Sequence, residues 1–162
     1  MSILVIRHGL SQANNRENIG TPAFGHRDAA LMDAGREQAR AIPAELSARY
    51  GIAPDGMAVA TSTLYRTKET AREAGFAETT EYAVLDEIEQ DAITRPELRR
   101  MLDAGRLPQV ALDAAELTLA SPPPERIWFS HGLRIAGLCA ILGVYQGERP
   151  IPRFCEIREL PL

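Results

Sequence analysis

Lysine, cysteine and tryptophan are nearly missing from this chain of 162 residues: Lys68 is the one lysine, beside two cysteines and one tryptophan. So few cysteines exclude a disulfide framework. Cys139 and Cys155 also have neither the close spacing of a redox pair nor the number a structural zinc site needs, so both read as reduced, semi-buried small residues. Long hydrophobic runs are absent as well. Residues 3–6 stop at Arg7, too short and wrongly flanked for a signal peptide, and residues 135–145 are too short to span a bilayer, so no membrane contact and a cytoplasmic location are expected. Positive charge is not in excess: 18 Lys and Arg against 22 Asp and Glu give a net charge of −4. That excludes a surface built throughout to hold nucleic acid. Any anion site must be local, and with lysine so scarce it must be built from arginine, which suits bidentate grip on phosphate or carboxylate.

What is present is an ordinary globular composition, 45% hydrophobic and 25% charged, in a length that suits one domain over residues 1–162. Residues 2–6 form a β-branched run ending at Arg7-His8-Gly9, which reads as a buried strand delivering its last residues to a loop. Residues 57–61 end the same way, with Ser62 placed to cap a helix over residues 64–74. Residues 126–130 lead into His131-Gly132 and an apolar helix that Gly143 closes, in which Leu138, Ile141 and Leu142 read as core. Residues 31–50 read as an amphipathic helix bent near Pro43 and capped by Asp33. Thr94-Arg95-Pro96-Glu97 reads as a capping box with proline in the first turn, starting a helix that Gly105 stops. Residues 111–120 are helical too, and residues 121–124 form a rigid lead into the strand that follows. Strands alternating with helices predict an α/β fold of three layers, a mostly parallel sheet flanked by helices. Ligands in such sheets lie beyond the carboxyl ends of the strands. Arg7-His8-Gly9, Arg66 and His131-Gly132 therefore fall at one sheet edge.

The string Arg7-His8-Gly9-Leu10-Ser11-Gln12-Ala13-Asn14 matches an Arg-His-Gly-x-Ser-x-x-Asn signature, and on it the chain resembles the phosphoglycerate mutase-like branch of the histidine phosphatase superfamily. Further landmarks follow in order. Gly25, Asp28, Leu31, Gly35, Gln38 and Ala39 resemble the family's segment leading into its first helix, with Met32 where threonine is usual. Ser62-Thr63-Leu64-Tyr65-Arg66-Thr67 with Thr70-Ala71 resembles its second arginine motif, Leu85-Asp86-Glu87 its acid-bearing turn, and Ser130-His131-Gly132 its second histidine. After the acid, Gln90-Asp91-Ala92 replace the usual glycine and aromatic.

The resemblance implies catalysis by His8, Arg7, Arg66, Glu87 and His131, and the residue types suit that chemistry. Imidazole changes charge nearest neutral pH, so His8 can offer a neutral nitrogen as nucleophile. Two guanidiniums and a second imidazole can hold the equatorial oxygens of a phosphoryl group in flight, so no metal and no cofactor are expected. Backbone N–H groups at Gly132, a helix start, add to that anion site. The arginines also disfavour protonation of His8. A carboxyl group must protonate the leaving oxygen. Glu87 is the candidate, with Glu89 pointing oppositely if the segment is extended. Ser11 and Asn14 either bind substrate or satisfy loop backbone, and His26 and Arg27 read as a solvated loop, with a place at the border of the pocket as the alternative. The expected function is hydrolysis of a small phosphorylated substrate, a phosphomonoester, through phosphohistidine. A phosphomutase and a non-catalytic phospholigand-binding domain are the alternatives, and the sequence assigns no oligomeric state.

Overall fold

The computed structural model describes residues 2–89, 92–144 and 149–162. The β-branched runs become β1 (Ile3–Arg7), β2 (Ala58–Thr61) and β4 (Ile127–Ser130); β3 (Glu78–Glu81) and β5 (Ile157–Leu160) complete a five-stranded sheet in the order β3-β2-β4-β1-β5. All pairings are parallel except β1 with β5, which is antiparallel. Side chains alternate across a strand, so Leu4, Ile6, Val59, Ile127 and Phe129 point to one face and Val5, Ala60 and Trp128 to the other. Helices α1 (Asp33–Tyr50) and α2 (Tyr65–Glu73) cover the first face through Ala39, Ile42, Leu46 and Ala71. Helices α4 (Gln109–Ala120) and α5 (Gly132–Ile141) cover the second through Ala115, Ile135 and Leu138. This is the expected three-layer α/β arrangement, with each fully buried Leu, Ile or Phe contributing about 1.5–3 kcal/mol over leaving it exposed. Helix α3 (Arg95–Asp103) buries no residue.

Two strands were not legible in the sequence. Strand β3 reads Glu-Thr-Thr-Glu and is exposed throughout, so it shows no apolar alternation. The pattern in β5 is interrupted by a buried arginine, Arg158, 2% exposed.

Local expectations need correction too. Asp33 does not cap α1: Met32 is the cap residue and makes no side-chain bond, while Asp33 lies inside the first turn and accepts from Arg36. Pro43 lies inside helix α1, where it has no N–H to give to Ala39 O. Nor does Ser62 cap α2, which starts later, after Leu64; the Ser62 hydroxyl is held within the loop between β2 and α2. Ile141 is 40% exposed and does not belong to the core, although Leu138 does. Thr94 does cap α3, accepting from Glu97 N, and Gly105 has the positive φ of 68° that ends it. Gln90, Asp91 and Tyr145 lie outside the described residues.

One crossing places the first loop. A Cβ on Gly35 would lie 2.0 Å from Leu10 O, and one on Gly9 would lie 2.5 Å from Gly35 O. Only glycine permits that approach of the first loop to the start of α1. The crossing is pinned by Leu10 N donating to Gln38 Oε1 at 3.0 Å and Gly9 N donating to Thr70 Oγ1 at 3.0 Å.

Candidate active site

Register brings the predicted residues together. Arg7 pairs with Ser130 and Thr61 with Phe129 across neighbouring parallel strands, so His8, Ser62 and His131 emerge level at the carboxyl edge of the sheet. The His8 and His131 ring centroids are 5.0 Å apart.

His8 is 1% exposed, and its Nδ1 lies 2.7 Å from Gly9 O. A carbonyl only accepts, so Nδ1 carries the proton and Nε2 bears the lone pair. Arg66 Nε donates to that Nε2 at 3.3 Å. The His8 pKa lies well below the usual histidine range, from burial first, then from Arg66 and Arg7. The arginine effect expected from the sequence is real, but burial outweighs it. The imidazole is neutral at pH 7.

His131 is also fully buried and held neutral, again by burial first and then by His8, Arg66 and Arg7. Its Nε2 lies 2.8 Å from Ser62 Oγ, while Thr67 Oγ1 lies 2.9 Å from Leu64 O, to which it donates. Ser62 Oγ also lies 2.8 Å from Thr67 Oγ1, so its single proton goes either to Thr67 or to His131 Nε2, and the His131 tautomer follows that choice. Nδ1 of His131 is buried and without a partner among the described residues.

Arg7 is fixed on three sides. Its Nη1 donates to Pro152 O at 2.7 Å and its Cζ lies 4.0 Å over the Phe154 ring. A Cβ on Gly132 would sit 3.3 Å from that Cζ and 2.8 Å from Ile151 Cγ2, so glycine here gives the guanidinium its space. Burial lowers the Arg7 pKa to about 10, which leaves it charged at neutral pH. Arg7 Nε is a buried donor, also without a partner among the described residues. Arg66, 3% exposed, faces Nε2 of His8 with its own Nε and donates from Nη1 to His26 O at 3.4 Å.

A cavity of about 610 Å³ opens beside this cluster, with Asn14, Arg27, Arg66, Asp86, Glu87 and Arg134 among its walls. Glu87 is half-buried, and burial raises its pKa against the pull of Ile88 N–H, Arg7 and Arg66. Glu89 also borders the cavity but is exposed, so the pair share it without pointing strictly apart. Asn14 reaches the cavity. Ser11 does not: fully buried, it donates to Asn14 Oδ1 at 2.7 Å and orients it. Arg27, expected in a solvated loop, is on the cavity wall and donates to Thr63 Oγ1 at 2.6 Å; His26 is exposed. Sequence reasoning did not single out Arg134 or Phe154. A charge within the apolar run from Leu133 to Gly137 marks the first, and no local signal marks the second.

The sequence profile of the histidine phosphatase superfamily (branch 1) matches residues 3–101. The fold is similar to phosphoglycerate mutase from Thermus thermophilus, 19% identical with a TM-score of 0.59 over 100% of this chain and 99% of that one. It is similar to the mycobacterial glucosyl-3-phosphoglycerate phosphatase solved with VO3, 23% identical with a TM-score of 0.54 over 89% and 81%. It also resembles phosphoserine phosphatase from Entamoeba histolytica, solved with 3-phosphoglyceric acid, 17% identical with a TM-score of 0.56 over 92% and 87%. These likenesses are of fold. No curated protein sequence matches significantly. Among the described residues no helix is long and apolar enough to cross a membrane. The profile match spans more than half of the chain and holds the Arg7-His8-Gly9 string, Arg66 and Glu87, on a phosphoglycerate mutase-like fold: this chain belongs to the histidine phosphatase superfamily.

Proposed function

We propose that the protein is a phosphatase that hydrolyses a small phosphomonoester through a phosphohistidine on Nε2 of His8. One observation carries this reading. Two buried side-chain nitrogens, Arg7 Nε and His131 Nδ1, lack partners among the described residues, beside a neutral imidazole whose Nε2 lone pair faces Arg66. Buried polar groups left unpaired cost about 1–3 kcal/mol each, and a phosphoryl group that accepts from Arg7 Nε–H and from the Nδ1–H tautomer of His131 would satisfy both.

The steps follow from the residues. Phosphoryl oxygens accept from Arg7, Arg66 and His131, and Arg66 Nε–H turns from His8 Nε2 to an oxygen, freeing the lone pair. Nε2 attacks phosphorus, the P–O bond to the leaving group breaks, and the Glu87 carboxyl, its pKa raised by burial, gives its proton to the departing oxygen. The charge gained by the ring is held by the Nδ1–H bond to Gly9 O. Glu87, now a carboxylate, then takes a proton from water as its oxygen attacks phosphorus. The N–P bond breaks and inorganic phosphate leaves with His8 neutral. The reading includes one domain working in the cytoplasm, consistent with its two free, buried cysteines.

Trapping with a labelled phosphomonoester tests it: acid-labile phosphate should accumulate on the protein and be absent from His8→Ala. Turnover without a phosphoenzyme, or label retained in His8→Ala, overturns the reading; ligand binding without turnover marks a non-catalytic domain.

A further inference from the structure

The segment carrying Glu87 belongs to no strand or α-helix, yet it is fixed in place by side chains from three elements. Ser130 Oγ donates to Leu85 O at 2.8 Å, Thr118 Oγ1 donates to Val84 O at 2.6 Å, and Arg134 Nε donates to Asp86 O at 2.9 Å. Three consecutive carbonyls are thus each taken by one side chain, from β4, α4 and α5. The Asp86 carboxylate adds a fourth tie, accepting from Thr63 N at 2.7 Å.

Arg134 is the last tie before the acid and the only charged donor among the three. It is 7% exposed and forms no salt bridge among the described residues; its Nη1 donates to Ala114 O and, at 3.3 Å, to Thr118 Oγ1. A buried guanidinium directed at neutral carbonyls is a costly way to hold a helix in place. The fork does what one hydroxyl cannot, joining the acid's own turn to α4 in a fixed plane while standing on the wall of the cavity that Glu87 also lines. Its place in the chain matters as well. Arg134 lies in the first turn of α5, whose cap residue is His131, so one helix start sets both the imidazole that faces the phosphoryl group and the tie that sets the acid.

We propose that Arg134 is a positioning residue for the general acid, fixing the Asp86–Glu87 peptide so that the Glu87 carboxyl meets the leaving oxygen. This rests on reading Glu87 as the proton donor. A nitrophenolate departs with little proton assistance and an alkoxide does not, so a displaced acid has its own signature.

The experiment measures kcat/KM for 4-nitrophenyl phosphate and for an alkyl phosphate, with inhibition by inorganic phosphate and thermal midpoints, in Glu87→Gln, Arg134→Gln, Arg134→Lys and Thr118→Val. Arg134→Gln should lose about 10- to 100-fold in kcat/KM on the alkyl phosphate, the range a misplaced group costs, while keeping its nitrophenyl kcat/KM, which ends at the phosphorylation step, and its phosphate inhibition. Arg134→Lys, which keeps the charge and loses the fork, should not restore the loss. Thr118→Val, the milder change, should show a smaller loss of the same selectivity and carries the test if Arg134→Gln does not fold. Equal losses on both substrates with weakened phosphate inhibition, unchanged kinetics, or full rescue by lysine would each overturn the proposal. If Glu87→Gln is selective and Arg134→Gln is not, the proposal alone falls; if Glu87→Gln is itself unselective, the acid assignment falls and takes the proposal with it.

Discussion

Replacing Arg66 by methionine should leave the protein at least as stable and nearly inactive. The stem of Arg66 packs in a site 3% exposed, and methionine keeps that apolar contact. What disappears is a guanidinium with two long hydrogen bonds, 3.3 Å to His8 Nε2 and 3.4 Å to His26 O, and no salt bridge among the described residues. Such bonds contribute about 1 kcal/mol each at most, whereas the penalty for keeping a cation out of water is several kcal/mol. The balance predicts a thermal midpoint unchanged or raised. Catalysis loses a donor aimed at the developing charge, which costs about 10²- to 10³-fold in kcat. Arg66 also helps hold the His8 pKa down, so without it His8 protonates more readily and the acidic limb of the rate profile moves to higher pH. Thermal melts with and without phosphate, beside kcat/KM from about pH 4 to 8, test all three parts. A variant with normal kinetics, or one whose activity falls only as its folded fraction falls, would refute the reasoning.

The two buried imidazoles predict a pH dependence of stability. Both His8 and His131 are held well below the usual histidine value of 6.5, so below that pH the unfolded chain binds protons that the folded one refuses. Stability should fall as the pH drops from 6.5 towards the folded values, by up to about 1.4 kcal/mol per pH unit for each ring; chemical denaturation at about pH 5 and 7 checks it, and a flat profile contradicts it. Activity should survive EDTA unchanged, because guanidiniums carry the positive charge that divalent ions supply in other phosphoryl-transfer sites. Loss in EDTA that Mg²⁺ or Mn²⁺ restores would remove this mechanism.

Motif and strand-end logic made His8, Arg7, Arg66 and His131 legible, because each follows or adjoins an apolar run whose register is set by burial. Glu87 was legible only through its likeness to a family, since nothing local distinguishes it from Glu89; the raised pKa comes from tertiary burial. Ser62 and Asp33 were misjudged because serine and aspartate before a helical pattern usually cap it, whereas here Ser62 serves His131 and Asp33 serves Arg36. Arg134 was passed over because its partners are backbone carbonyls 20 and 48 residues away in sequence, a relation that no local pattern encodes. Strand β5 was hidden for a similar reason: its polar positions, Arg158 among them, are satisfied by Glu156, Pro150 and Arg149 once the sheet exists.

The strand that leads to His8 has as its two sheet neighbours β4 and β5, the last two strands among the described residues. A ribosome makes β1 first, and more than a hundred residues pass before Ile127 emerges to pair with Leu4. Until then the earliest strand has no partner, and Arg7 lacks Pro152 and Phe154. Closing so long a loop is slow, and the waiting apolar strand is open to association with other chains. His8 is thus made long before the residues that hold Arg7 beside it, and the site can assemble only after residues 152–154 have been added.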